Sequence, residues 1–142
     1  MAVPRSPTAG ATESIQRVAR AGFGIASAAE GRTDVRLRDW HLVREGPVDQ
    51  GRYTTEVAGP HFKVTLTLET TQPPLLQGEA GWSRKGADPA HFSLYYSEPQ
   101  LAVHGTLEQE GRRTTVTGRA WLDHEWSTAL MEPGVVGWDW IG

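Results

Sequence analysis

Between positions 62 and 69 the chain alternates strictly. Phe62, Val64, Leu66 and Leu68 fall on one side of an extended backbone, and Lys63, Thr65, Thr67 and Glu69 fall on the other. A period of two over eight residues predicts a β-strand with one buried face. Val35 to Val43 and Arg52 to Ala58 carry weaker versions of the pattern, and Gly59-Pro60 predicts a hairpin joining the second of these to the clear strand. Further on, Leu101, Val103, Gly105 and Leu107 share one face. Val116, Gly118, Ala120 and Leu122 match them across a turn at Glu110-Gly111. That register gathers His104, Thr106, Thr115, Thr117, Arg119, Trp121 and Asp123 on the opposite face.

The period shifts to that of a helix only near the start. Ile15, Val18, Ala19, Gly22 and Phe23 predict a short helix over about 13–22, ended by the glycines at 22 and 24. Residues 1–12, with Pro4 and Pro7 and little apolar matter, read as a flexible tail. Pro73-Pro74 opens an irregular stretch, QGEAGWSRKGADPAH, read as a loop. Several strands, frequent turn signals and almost no helix predict an all-β antiparallel barrel or sandwich spanning 13–142.

The length of 142 residues suits one domain. No run approaches the ~18 apolar residues of a membrane-spanning helix. The net charge is −3 and the basic residues are scattered, so no footprint for nucleic acid is expected. There is no cysteine, hence no disulfide, catalytic thiol or thiolate metal site. The histidines at 41, 61, 91, 104 and 124 show no metal-binding spacing, and no cofactor motif appears.

Candidate chemistry concentrates at the C-terminal end, where four of the six tryptophans accompany Asp123, His124, Glu125 and Asp139. Indoles beside titratable groups suit a pocket of mixed apolar and polar lining. Strict alternation sets His124 opposite Asp123 and Glu125 unless the strand bulges there. A plain structural role, with charges tying down loops, fits those three residues as well. Trp138 and Trp140 flank Asp139 at period two and fit either core packing or a cavity wall. Arg84 and Lys85 offer partners that would hold the acids near 123–125 as carboxylates. Tyr95 and Tyr96 point to opposite faces, so at most one lines a cavity.

The ordered segments QRVARAGFGIASA, RDWHLV, KVTLTLETTQPPLLQGEAGWSRKG, HFSLYYSEPQLAVHGTL and VTGRAWLDHEWSTALMEPGVVGWDW resemble the AttH-like, carotenoid 1,2-hydratase-related family, often labelled predicted secreted hydrolases. The resemblance implies two lipocalin-like halves around a shared apolar cavity. This chain would supply an incomplete, middle portion and lack most of the second half. It implies cofactor-free hydration of a C=C bond in a small apolar molecule, an isoprenoid, polyene or lipid. Asp123 is then the candidate proton donor, with His124 orienting water or serving as the acid, and Glu125 beside them. Trp82, Trp121, Trp126, Trp138, Asp139 and Trp140 are the candidate ligand-binding residues, and His124 with Trp126 matches the His-x-Trp element of the hydratases. A non-catalytic carrier of the same ligand class, or a hydrolase using a carboxylate pair from Asp123, Glu125 and Asp139, are the alternatives. The family is often secreted or periplasmic, whereas the N-terminus carries no signal-peptide pattern, which leaves the compartment open.

Overall fold

Every predicted period-two segment becomes part of one antiparallel sheet. The computed structural model describes residues 15–127 together with Gly134 and Val136. Nine strands lie among the described residues: β1 (Ala26–Ala28), β2 (Asp34–Leu37), β3 (Trp40–Glu45), β4 (Arg52–Ala58), β5 (Phe62–Glu69), β6 (Leu75–Leu76), β7 (Trp82–Arg84), β8 (Phe92–Gln109) and β9 (Arg112–Trp126). From β1 to β5 each strand pairs with the next. One edge of β8 receives β5 along Ala102–Gln109, β6 at Tyr96 and Ser97, and β7 at Phe92–Leu94. The other edge pairs with β9 along most of its length. The result is an open all-β sheet, consistent with a lipocalin-like barrel or sandwich, and no helix occurs among the described residues.

The hairpin registers follow the sequence pattern. Gly59-Pro60 lies in the turn between Ala58 and Lys63, which pair across β4 and β5, and Leu101, Val103 and Gly105 oppose Ala120, Gly118 and Val116. Glu110 and Gly111 make the β8–β9 turn with φ of 51° and 75°, the doubly left-handed geometry that matches strand twist in a two-residue hairpin. Three expectations change. Val35 to Val43 is two strands, β2 and β3, because Arg38 turns the chain with φ of 57°. The stretch read as a loop contains β7, held through β8.

The third change concerns the predicted N-terminal helix. Residues 15–20 are irregular, and Gly22 instead forms a bridge with Ala26. Val18 and Phe23 are fully exposed, so most of the apolar stripe finds no surface to bury against, and only Ile15, beside Gly59, is partly covered. A short helix needs tertiary packing of that kind to persist. The segment is tethered by a polar residue: Arg17 pairs with Asp39, donates to the Ala58 carbonyl at 3.2 Å, and lies 4.4 Å over the Trp40 ring. The expected tail, 1–12, lies outside the described residues.

Tyr53, Leu68 and Leu101 form the core, with Leu42, Leu66, Val103, Ala120 and Leu122 packed on them. By register all eight occupy one face of the same sheet. Tyr53 and Leu101 are nonetheless almost completely buried, which requires the sheet to coil over its own apolar side. At Gly105 an added Cβ would sit 2.1 Å from the Thr65 carbonyl oxygen, whereas at Gly118 nothing lies within 4 Å. Gly105→Ala is therefore expected to destabilise the fold by about 1–3 kcal/mol, the scale of overpacking. Gly118→Ala should stay within about 0.5 kcal/mol of the parent. Urea unfolding of the two variants checks the difference.

Candidate functional site

The long β8–β9 ladder departs from regular register at one place. Glu98 faces Leu122 and Leu101 faces Ala120, so Pro99 and Gln100 together oppose Trp121 alone. This is a β-bulge, and Gln100 takes φ of 57° within it. Pro99 has no N–H to give the ladder, which suits it to an unpaired position. The Gln100 carbonyl accepts hydrogen bonds from Thr71 Oγ1 at 2.8 Å and from Arg119 at 3.2 Å. The extra residue reverses the alternation of β8. Glu98, Tyr96 and Leu94 thereby join the core-side face, and Ser97, Tyr95 and Ser93 take the other.

Glu98 is 3% exposed and well supplied with donors. Tyr53 Oη donates to Oε1 at 2.6 Å, Thr70 Oγ1 donates to Oε2 at 3.1 Å, and Arg44 Nε lies 3.5 Å from Oε1. The Arg44 guanidinium also binds the carbonyls of Gly46, Pro47 and Val48, which anchors the β3–β4 loop to the cluster. Burial, followed by the hydrogen bond with Glu98, raises the Tyr53 hydroxyl far above the ordinary tyrosine value. It stays protonated and donates.

Next along the same face, Tyr96 Oη lies 3.0 Å from His124 Nδ1. The His124 and Trp126 rings are 5.0 Å apart between centroids, and Tyr96 and Trp126 are 6.3 Å apart, edge to face. Burial lowers the His124 pKa, so the imidazole is neutral at pH 7. Beyond it the face turns apolar and open: Trp82, Leu94 and Trp126 align across β7, β8 and β9. Phe92 meets Trp82 edge to face at 5.3 Å. Trp126 is 48% exposed, and Leu76, Trp82, Phe92 and Leu94 are exposed as well.

The opposite face holds the acids. Asp123 Oδ1 accepts from Ser97 Oγ at 2.6 Å and Trp121 Nε1 at 2.8 Å. Glu125 accepts from Ser93 and forms an ion pair with Lys85. Ser93 and Ser97 are fully buried. Burial by itself would raise the Glu125 carboxyl, but the hydrogen bonds from Lys85 and Ser93 outweigh it and hold the group below the usual carboxylate range. Lys85 Nζ also lies 5.4 Å over the Tyr95 ring.

The expected site residues thus divide. His124, Trp126 and Trp82 share the core-side face, while Asp123, Glu125 and Trp121 share the other. The regular register of 94–98 against 122–126 keeps the alternation that separates His124 from its neighbours. Trp138, Asp139 and Trp140 lie outside the described residues. Sequence reasoning missed Arg44, Tyr53, Thr70 and Glu98, because alternation carried back from Leu101 turns Glu98 outward. The one available signal was a proline inside a strand pattern. Among the described residues no group of three or more His, Asp or Glu is placed to hold a metal, and no helix is long and apolar enough to cross a membrane.

Two of these groups set the acid response of the fold. Glu125 titrates lower when folded, so its contribution is complete above pH 4.5, its ordinary value, and is lost as pH falls toward its folded value. His124 is also depressed, so the unfolded chain takes up its proton first and stability falls as pH drops below 6.5. Urea unfolding as a function of pH should show His124→Gln flattening the upper window and Glu125→Gln the lower one.

A family model described as AttH-like matches residues 3–142. A crystal structure of an AttH candidate from Nitrosomonas europaea superposes with a TM-score of 0.71 at 50% sequence identity, over 81% of this chain and 35% of that one. This chain therefore spans about a third of the length of that protein. No protein of curated function matches it. The match of the family model over nearly the whole length, with a solved relative at this identity, shows that the chain belongs to the AttH-like family.

Proposed function

We propose that the core-side face of the sheet is one wall of a cavity for an apolar, isoprenoid-like molecule, and that His124 serves cofactor-free addition of water to a C=C bond there. The observation that carries this reading is the neutral, half-buried imidazole. It is hydrogen-bonded to Tyr96 and packed on Trp126, at the border between a buried polar cluster and an open aromatic surface. Hydration of an isolated double bond passes through a tertiary carbocation, which aromatic faces stabilise. A proton adds to one carbon and a water oxygen bonds to the other. The proton released from that water then passes to a base.

A neutral imidazole is suited to take that proton near pH 7. Glu125 is a poor donor for the first step, because Lys85 and Ser93 keep it ionised, and Asp123 faces the other way. In this reading the initiating acid comes from the second lipocalin-like half, which would also cover the exposed aromatic face. Trp126 and Trp82 then contact the ligand, and Trp121 supports Asp123 on the far side.

Titration with a conjugated polyene should quench the tryptophan fluorescence of the protein, and Trp126→Leu should weaken the quenching. Hydration of an isoprenoid is followed as heavy-oxygen label entering a tertiary alcohol from water. His124→Gln is expected to leave polyene binding little changed and to lower hydration by roughly 10²–10⁴-fold, the usual share of a positioned acid–base group. Unchanged hydration in His124→Gln would remove the catalytic assignment. Binding without any hydration in the parent protein would make it a carrier, and absence of binding would overturn the cavity itself.

A further inference from the structure

The turn that leads into the first strand is built against local preference. The Ile25 N–H donates to the Gly22 carbonyl at 3.1 Å, closing a four-residue turn whose central residues, Phe23 and Gly24, take φ of 53° and 70°. Two left-handed central residues define the type I′ geometry, which favours Asn, Asp and Gly. A bulky residue at the first of these positions is strained, because its side chain crowds its own backbone. The fold gains nothing in return. Phe23 is fully exposed, and the turn stands beside β1, the end strand of the sheet. A lone exposed apolar residue is ordinary, whereas a phenyl held at a strained turn tip points to a contact outside the fold.

The surroundings of the turn define that contact. From Gln16 to Arg38 the chain holds five arginines against Glu30 and Asp34, although its overall net charge is −3. Asp39 takes up Arg17, and Asp34 lies between Arg32 and Arg36, which leaves Arg36 half exposed. Arg36 and Arg38 line a hollow of about 400 Å³ together with Gly22, Gly24 and Ile25 of the turn. Backbone bonds fix the two sides of the hollow to each other: the Arg38 N–H donates to the Ile25 carbonyl at 2.7 Å, and the Gly22 N–H to the Ala26 carbonyl at 3.0 Å. Guanidinium groups match the oxygens of a phosphate. We propose that this turn docks the protein on an anionic bilayer, with Phe23 entering the boundary between headgroups and acyl chains while Arg36 and Arg38 bind lipid phosphates. An anion in solution would engage the arginines and leave the ring in water, so the two features together fit a surface that is charged outside and apolar beneath. Ile25, partly exposed, widens the apolar tip.

The docking surface is independent of the role given to His124, and it would bring the protein to the phase in which apolar molecules dissolve. Flotation with vesicles of phosphatidylglycerol and phosphatidylcholine, against vesicles of phosphatidylcholine alone, tests it. The parent protein is expected to float with the anionic vesicles, far less with the neutral ones, and to be released by added salt. Phe23→Asn should weaken binding by about tenfold, the worth of a buried phenyl. Its thermal unfolding should be no lower than that of the parent, since Asn adopts the left-handed turn readily. Phe23→Trp, which keeps an aromatic anchor, should keep the binding. Arg36→Gln combined with Arg38→Gln should weaken binding to the anionic vesicles by about tenfold or more. Equal flotation with both kinds of vesicle, flotation with neither, or a Phe23→Asn variant that floats like the parent would overturn the proposal. So would self-association of the lipid-free protein that Phe23→Asn abolishes, because a second copy would then occupy the turn.

Discussion

One extra residue in β8 governs what the rest of the sheet can do. Were Pro99 and Gln100 not bulged against Trp121, alternation from Leu101 would turn Glu98 and Tyr96 outward and bring Ser97 and Tyr95 to the core side. The core-side face would then lack its buried carboxylate and the phenol that meets His124. The bulge also lies where the partners of β8 change, between β5 at Ala102 and β6 at Ser97. A long strand crossing such a junction gains twist and a change of facing from a bulge. Here the same device re-aims the side chains that form the site.

Burying Glu98 is costly unless its oxygens are fully met, because an unpaired carboxylate in a poorly solvated interior loses several kcal/mol of hydration. Tyr53, Thr70 and Arg44 meet it from three strands or loops. Such clusters favour a unique arrangement over many similar ones, since each member is satisfied only when all are in place. Tyr53 is at once the most buried aromatic of the core and the donor to Glu98, so apolar packing and the polar series fix one another. Arg44 extends this to the β3–β4 loop. That coupling explains how a single open sheet holds a carboxylate at its centre without a second layer among the described residues.

Much of this architecture is legible in the sequence wherever period-two patterning is strong and local. The β4–β5 hairpin, the β8–β9 pairing and its turn at Glu110-Gly111 all follow from alternation and turn chemistry. So does the separation of His124 from Asp123 and Glu125, whereas the charge pattern offers Arg84 and Lys85 alike as partners for those acids and only the structure pairs Lys85 with Glu125. The N-terminal segment was misread because helical spacing is informative only if the stripe has a surface to bury against, and Val18 and Phe23 have none. Glu98 was invisible for a different reason. A bulge is a property of two paired strands, and its effect on facing extends to every residue beyond it, so local patterning cannot recover it.

The acids on the outer face nonetheless matter to the aromatic one. A three-residue strand such as β7 is too short to hold its place through ladder bonds alone. Lys85 follows β7 immediately, and its ion pair reaches past β8 to Glu125 on β9. Ser93, on the strand between them, donates to the same carboxylate. The three strands are thus joined from behind. Trp82, Leu94 and Trp126 project from the front of those strands in register. Through Lys85 and Ser93, Glu125 ties together the strands that carry Trp82 and Trp126. A carboxylate whose titration is lowered suits that work, because its partners keep their geometry at any pH above that titration.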